Sequence, residues 1–370
     1  MIRFSFDIFC RVVDNFGDIG VCWRLARQLA GMPQRHAVRL WVDDLRSFAR
    51  IQPGVNAGVD LQNIRGVDIV HWTESPPALP AREIVIEAFA CDPPAAFIES
   101  MIQRDSLWIN LEYLSAESWV EGCHALPSLQ ANGLRKAFFF PGFTPGTGGL
   151  LREPGLLSDR EDWLSDWGRQ ASLLGHVGLP ATQIGLLRSG ARQVMLFAYP
   201  NAPVQGLLDA LRRSAEPAVI LVPAGVCPGL PRGQHGHVHV HQIPFVDQDA
   251  FDRLLWGGSL NCVRGEDSLV RALWAGKPLL WQLYPQQEAA HLAKLDAWLG
   301  LSPLGAEAAR AQTYWNTGDA SLAGALDAAL RGNNWREWTA ASASWCDKLA
   351  RQTDLAHSLI GFCTQQRRKG

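Results

Sequence analysis

Short apolar runs bounded by Gly, Pro, Asn and Asp alternate with segments of helical period along the whole chain. That alternation is the pattern of βαβ units and mostly parallel sheets. In the first half, strands are expected at residues 2–13, 37–42, 67–72, 84–88, 107–111 and 137–140. In the second half they are expected at 193–199, 218–222, 238–245, 260–263 and 278–281. Residues 150–189, rich in Leu, Trp and Gly, read as helices carrying the chain between two Rossmann-like halves. A helical tail from 334 to 362 offers Trp335, Trp338, Trp345, Leu349 and Leu355 for packing. The expected organisation is therefore an N-terminal domain at 1–175, a C-terminal domain at 176–333, and terminal helices at 334–370 that cross back to the first domain.

Composition narrows the class. Hydrophobic residues make up 47% of the 370 positions and charged residues 19%, so a sizeable core is available and no region has the make-up of disorder. The 34 basic and 36 acidic residues leave a formal net charge of -2, which gives no whole-molecule reason to bind nucleic acid or anionic membrane. The opening residues lack the basic and apolar regions of a signal peptide, and no apolar stretch is long enough to span a bilayer. The cytoplasm is the expected location. The eight cysteines show no C-x-x-C pair and read as reduced thiols rather than a disulfide or zinc framework. Most of the fifteen tryptophans read as packing residues.

The first candidate site follows the opening strand: Val12-Val13-Asp14-Asn15-Phe16-Gly17-Asp18-Ile19-Gly20. Cys22, Leu25, Ala26 and Leu29 then continue with helical spacing. The loop lies at the carboxyl end of a strand, where ligands bind in open α/β sheets. Asn15, Gly17 and Gly20 are suited to positive φ or close backbone approach. Asp14 and Asp18 put two carboxylates into one tight turn. The same residues also fit a plain helix cap at Asp18 and an Asx-turn at Asp14. The spacing is not G-x-G-x-x-G, so it does not support a dinucleotide site.

The second candidate site runs through Gln242, Phe245, Asp247 and Phe251 to Arg264-Gly265-Glu266-Asp267-Ser268 and then a helix closed by Gly276. Its order of strand, loop, short helix, strand, acidic turn and helix is that of a GT-B glycosyltransferase donor domain. A helix beginning near Ser268 would turn free backbone N–H groups and a positive dipole end toward a diphosphate, with Gly265 allowing close approach. No metal is then needed. Glu266 would bind sugar or ribose hydroxyls, Arg264 would offset phosphate charge, and Phe245 or Phe251 would stack on a base. Phe197 and Tyr199, at the first strand end of this half, are candidates for the same crevice or for the core. Glu266 and Asp267 also suit a mere dipole complement. His235, His237, His239 and His241 alternate as one face of a strand, and a solvated histidine face is a better reading than a metal site.

These loops, together with Asn110-Leu111-Glu112-Tyr113-Leu114-Ser115-Ala116-Glu117 and Phe139-Phe140-Pro141-Gly142-Phe143-Thr144, closely resemble the EarP family over essentially the whole chain. EarP proteins are bacterial arginine rhamnosyltransferases of elongation factor P. The resemblance implies an α/β, GT-B fold with two Rossmann-like domains facing across a cleft. The implied reaction is inverting transfer of L-rhamnose from dTDP-β-L-rhamnose to a loop arginine of elongation factor P. It also implies Asp14, Asp18 and Glu266 as catalytic residues. Phe197, Tyr199, Gln242, Phe245, Phe251, Arg264, Gly265, Asp267 and Ser268, with Asn15, Phe16 and Gly17 of the acidic loop, are the implied donor contacts. Glu112, Tyr113 and the 142–149 loop are candidates for the surface that meets the partner protein. No metal, cofactor, nucleic acid or membrane partner is expected. The alternatives are a GT-B transferase with a saccharide or lipid acceptor, a sugar-nucleotide 2-epimerase, and a non-enzymatic nucleotide-sugar binding module.

Overall fold

Apolar runs with no polar face become the inner strands of parallel sheets, because such strands are covered by helices on both sides. The computed structural model describes residues 2–14, 16–285 and 290–369. They pack as two units, Met1–Pro154 with Ala350–Gly370, and Gly155–Leu349.

The first unit opens with β1 (Ser5–Cys10), α1 (Gly17–Gly31), β2 (Ala37–Val42), α2 (Leu45–Ile51), β3 (Leu61–Ile64) and β4 (Val67–His71). It continues with β5 (Ile84–Ala88), α3 (Ala95–Arg104), β6 (Leu107–Leu111), α4 (Trp119–Cys123), β7 (Pro127–Leu129) and β8 (Arg135–Phe139). Among the described residues these strands form one sheet in the order β3-β4-β2-β1-β5-β6-β8-β7. Only β3 and β7, at the edges, run antiparallel to their neighbours. On one face Phe9 stacks on Trp41 at 5.1 Å and meets Phe97 edge-on at 4.8 Å. Asp7 is fully buried within β1. It accepts hydrogen bonds from Arg39 (2.5 and 3.0 Å), Trp41 Nε1 (2.9 Å) and Arg82 N (2.9 Å), which is what a buried carboxylate requires.

The second unit begins with three helices, α5 (Leu156–Ser165), α6 (Trp167–His176) and α7 (Ala181–Arg188). Then come β9 (Arg192–Leu196), α8 (Val204–Arg213), β10 (Ala218–Pro223), β11 (Gly233–His235), β12 (Val238–Ile243), α9 (Gln248–Gly257) and β13 (Leu260–Arg264). It closes with α10 (Gly265–Ala275), β14 (Leu279–Gln282), α11 (Ala290–Leu301), α12 (Ala306–Thr317), α13 (Leu322–Ala329) and α14 (Gly332–Ala350). The described strands are ordered β11-β12-β10-β9-β13-β14, parallel except for β11. Its core gathers Val194, Leu196, Ile220, Leu326, Trp315 and Trp338. A last helix, α15 (Leu355–Lys369), returns to the first unit, where Phe362 lies 5.7 Å from Phe139 and Leu355 N donates to Leu150 O.

Three expectations change. The division between units falls after residue 154 rather than 175, because α5 and α6 pack on α9 of the second sheet. The return begins at 350 rather than 334, since α14 commits Trp338 and Trp345 to the second unit's interior. The four histidines do not share a strand: Gly236, at φ 69, turns the chain between β11 and β12. His235 and His237 bond to Pro231 O and Leu211 O, and among the described residues no group of three His, Cys, Asp or Glu is placed to hold a metal ion. No described helix is long and apolar enough to cross a membrane.

Candidate active site

In each sheet the chain starts near the middle and winds outward both ways, so the loops after two adjacent strands part and leave a crevice at their carboxyl ends. In the first unit those strands are β1 and β5; in the second they are β9 and β13. All the singled-out loops belong to one or other of these edges.

At the first edge the chain leaves β1 and is drawn tight around one carboxylate. Asp18, 4% exposed, accepts the backbone N–H groups of Val13 at 2.8 Å and Asp14 at 2.9 Å through Oδ2. It is therefore not the cap of its own helix. The residue before α1 is Phe16, with no side-chain cap bond, and Asp18 instead holds the loop that precedes the helix. Burial raises its pKa above the ordinary carboxylate value. The two backbone N–H groups pull it down, and the like charges of Asp14 and Asp43 push it up again. Asp43 stands beside the loop because it accepts Val12 N at 2.9 Å.

Of the two roles expected of Gly17 and Gly20, positive φ is not used. Gly17 gives close approach: a Cβ there would sit 3.1 Å from Asp14 Oδ2, a tight contact that would press on this carboxylate. The loop turns instead through the Gly17 N to Asp14 O bond of 2.7 Å. Phe16 lies under the guanidinium of Arg50 at 5.1 Å. Asn15 lies outside the described residues.

At the second edge the predicted donor residues converge. Arg264, the last residue of β13, lies over Phe197 at 4.9 Å and Tyr199 at 4.4 Å. Phe197 meets Phe251 edge-on at 5.3 Å and Phe245 at 6.4 Å. Gly265, at φ 65, bends the chain into α10. That helix therefore starts three residues earlier than expected, with Arg264 as its cap and Glu266 and Asp267 in its first turn. Its open N–H groups belong to this Gly-Glu-Asp turn, while Ser268 Oγ donates back to Arg264 O. Gln242 stands exposed at the end of β12, two strands from β9.

Several supports were not anticipated. Gln282, 3% exposed, accepts Tyr199 N at 2.8 Å and donates to Asn201 Oδ1 at 3.2 Å. Trp281 Nε1 donates to Gly265 O at 2.8 Å. Arg271 and Asp252 form a buried two-pronged pair at 3.0 and 2.6 Å that ties α10 to α9, fixing Phe251 beside the turn. A polar residue closing an otherwise apolar strand, as Gln282 does after Leu279-Leu280-Trp281, was the available signal for the first of these.

A parallel-sheet unit with an acidic loop at its switch point, and another with an arginine and a helix N-terminus at its own, define a glycosyltransferase of the GT-B type. The family model of the Elongation-Factor P (EF-P) rhamnosyltransferase EarP matches residues 6–364, and the chain belongs to that family. It is 46% identical to a protein-arginine rhamnosyltransferase of Pseudomonas aeruginosa, over 97% of this chain and 98% of that protein. Its identity to the protein of the same name from Neisseria meningitidis serogroup B is 34%, over 78% and 76%. A solved structure described as the structural basis for EarP-mediated arginine glycosylation of translation elongation factor EF-P superposes with a TM-score of 0.65, at 32% identity, over 98% of this chain and 99% of that one. The spinosyn rhamnosyltransferase SpnG, at 13% identity and a TM-score of 0.50, shares the fold over 98% of this chain and 100% of that one.

Proposed function

We propose that the protein transfers L-rhamnose from dTDP-β-L-rhamnose to a loop arginine of elongation factor P, with inversion at the anomeric carbon. The observation that carries this reading is the carboxylate of Asp18, buried beside Asp14, held by two backbone N–H groups and raised in proton affinity by its burial. A guanidinium is a poor nucleophile, since its pKa lies above about 12 and its lone pairs are delocalised. Asp14 orients it by charge-assisted hydrogen bonds. Asp18 takes the proton as the nitrogen forms its bond to the anomeric carbon and the bond from that carbon to the dTDP oxygen breaks. Arg264 and the first turn of α10 receive the negative charge of the departing diphosphate. The aromatic group of Phe197, Phe245 and Phe251 takes the base, and Glu266 binds the donor's hydroxyls. The acceptor is a translation factor, so the reaction belongs to the cytoplasm.

Incubation with dTDP-β-L-rhamnose and elongation factor P is expected to add the mass of one deoxyhexose to the acceptor. An acceptor with its loop arginine changed to lysine is expected to stay unmodified. Modification of the lysine variant, or none of the native acceptor, overturns the reading.

The charge environment of Asp18 gives a pH prediction. Because Asp43 raises the pKa of Asp18, Asp43→Asn removes a like charge and makes the base easier to ionise, while its carbonyl still accepts Val12 N. The acidic limb of the kcat profile is expected to move to lower pH in this variant. A limb that stays in place, or moves up, separates Asp18 from proton acceptance.

A further inference from the structure

The loops after β5 and β6 lie on the same carboxyl edge as the acidic loop, and the transfer chemistry leaves them unused. In the first, Phe89, Ala90 and Asp92 have φ of 59, 53 and 47, left-handed backbone that L-residues adopt only when their surroundings dictate it. The constraints are visible. Phe89 N donates to Leu111 O at 2.8 Å, Ala90 N to Asn110 Oδ1 at 3.2 Å, and Cys91 Sγ to Phe9 O at 3.3 Å. Asn110 is 2% exposed, and its Nδ2 donates to Glu112 Oε1 at 2.6 Å. One buried amide therefore fixes both the strained loop and the Glu112 carboxylate. Below them Glu87, fully buried, pairs with Lys136, whose ammonium lies 4.2 Å from the Trp108 ring centre.

The product of these constraints is an aromatic surface turned to solvent. The rings of Phe89 and Tyr113 stack at 4.4 Å and 17°, and Tyr113 remains 40% exposed. Packing for stability alone would bury such a pair. Strained backbone that holds aromatic area in water instead is the mark of a recognition surface.

We propose that the Phe89–Tyr113 stack and Glu112 form the platform that docks the acceptor polypeptide beside its modified arginine. The proposal rests on Asp14 and Asp18 being the arginine clamp. Charge selects the occupant. The loops of this edge carry Asp14, Asp18, Asp43, Asp44, Asp92 and Glu112, while of the cations near them Arg11 lies over Trp72 at 5.0 Å, Arg50 over Phe16 at 5.1 Å and Lys136 on Glu87, and Arg46 acts on Asp44. A basic loop of a folded protein matches that field. Geometry sets the register. The order β1-β5-β6 puts the platform two strand spacings, about 10 Å, from the acidic loop, which is about three residues of extended chain. Residues about three positions from the modified arginine therefore rest on the Tyr113 ring, with a basic side chain against Glu112.

The test is calorimetric binding of elongation factor P to the full-length enzyme in the presence of dTDP, alongside steady-state kinetics. Tyr113→Ala is expected to weaken acceptor binding about tenfold and raise acceptor KM to match. Its kcat at saturating acceptor and its affinity for dTDP are expected to stay within about twofold of wild type. Tyr113→Phe, which keeps the ring, is expected to restore wild-type binding. Equal acceptor affinity in wild type and Tyr113→Ala overturns the platform. So does a parallel loss of dTDP affinity or melting temperature, which would mark a general structural role. Binding is scored without sugar transfer, so a wild type that binds the acceptor yet leaves it unmodified sinks the rhamnosylation reading while the Tyr113 comparison still decides the platform.

Discussion

Asp18→Asn is expected to lower kcat for rhamnosyl transfer by about 10²- to 10⁴-fold, the usual contribution of a positioned base, while the protein melts at pH 7 no lower than wild type. The amide is nearly isosteric, and its carbonyl still accepts the N–H groups of Val13 and Asp14, so the loop keeps its shape and loses only its proton acceptor. The thermal expectation follows from linkage. Burial raises the pKa of folded Asp18 above the ordinary value of 3.8, so the folded state holds this proton more tightly than the unfolded state. Relative to Asn, aspartate is least costly to the fold below the unfolded pKa. It becomes more costly as pH rises from there through the folded pKa. The melting difference between variant and wild type should therefore grow in the variant's favour from about pH 4 to pH 7, which calorimetry can follow. A kcat within tenfold of wild type would remove Asp18 from the reaction. A variant that melts much lower at every pH would make the carboxylate a structural strut.

The parts of this molecule legible in its sequence are those whose determinants are local. Strands β2, β5 and β6 begin and end where their apolar runs do, at 37–42, 84–88 and 107–111, because inner parallel strands are covered on both faces. The edge strands β3 and β7 went unseen: both are short and largely exposed, and no continuous apolar run marks them. The bound at 175 failed for a related reason. The apolar stripes of α5 and α6 say that these helices pack, and not on which sheet. In the site, Asp14 and Asp18 announce themselves as two carboxylates in one turn. Their partners do not, since Asp43 reaches the loop from 31 positions away, Asp252 reaches Arg271 across 19, and Gln282 reaches Tyr199 across 83. Residue type left Gly17 either a positive φ or a close backbone approach. Only the coordinates of Asp14 show that it supplies room.

Arg264→Ala is expected to weaken dTDP binding by about 10²-fold, with dTDP-β-L-rhamnose KM rising to match. Two roles meet in this side chain. Its charge stands at the start of α10, where the proposed reaction places the diphosphate. Its plane lies over Phe197 and Tyr199 at 4.9 and 4.4 Å and so positions Phe197, one of the rings proposed to take the base. Losing one partner of a charge-assisted contact of this kind costs about 3 kcal/mol, and 1.4 kcal/mol is one decade. Arg264→Lys separates the roles, because an ammonium keeps the charge but neither the planar fork nor the stacked face. It should fall between, about tenfold weaker than wild type. Its remaining affinity should also be more sensitive to salt, since a hydrated point charge is screened where a stacked guanidinium is not. Titrating dTDP into the three proteins at low and high ionic strength checks the order wild type, Lys, Ala. If lysine binds as wild type does, charge alone is sufficient and the rings are positioned by Gln282 and Phe251 instead. If alanine also binds as wild type does, the diphosphate lies away from the α10 turn, and Glu266 loses its role as a donor-binding residue with it.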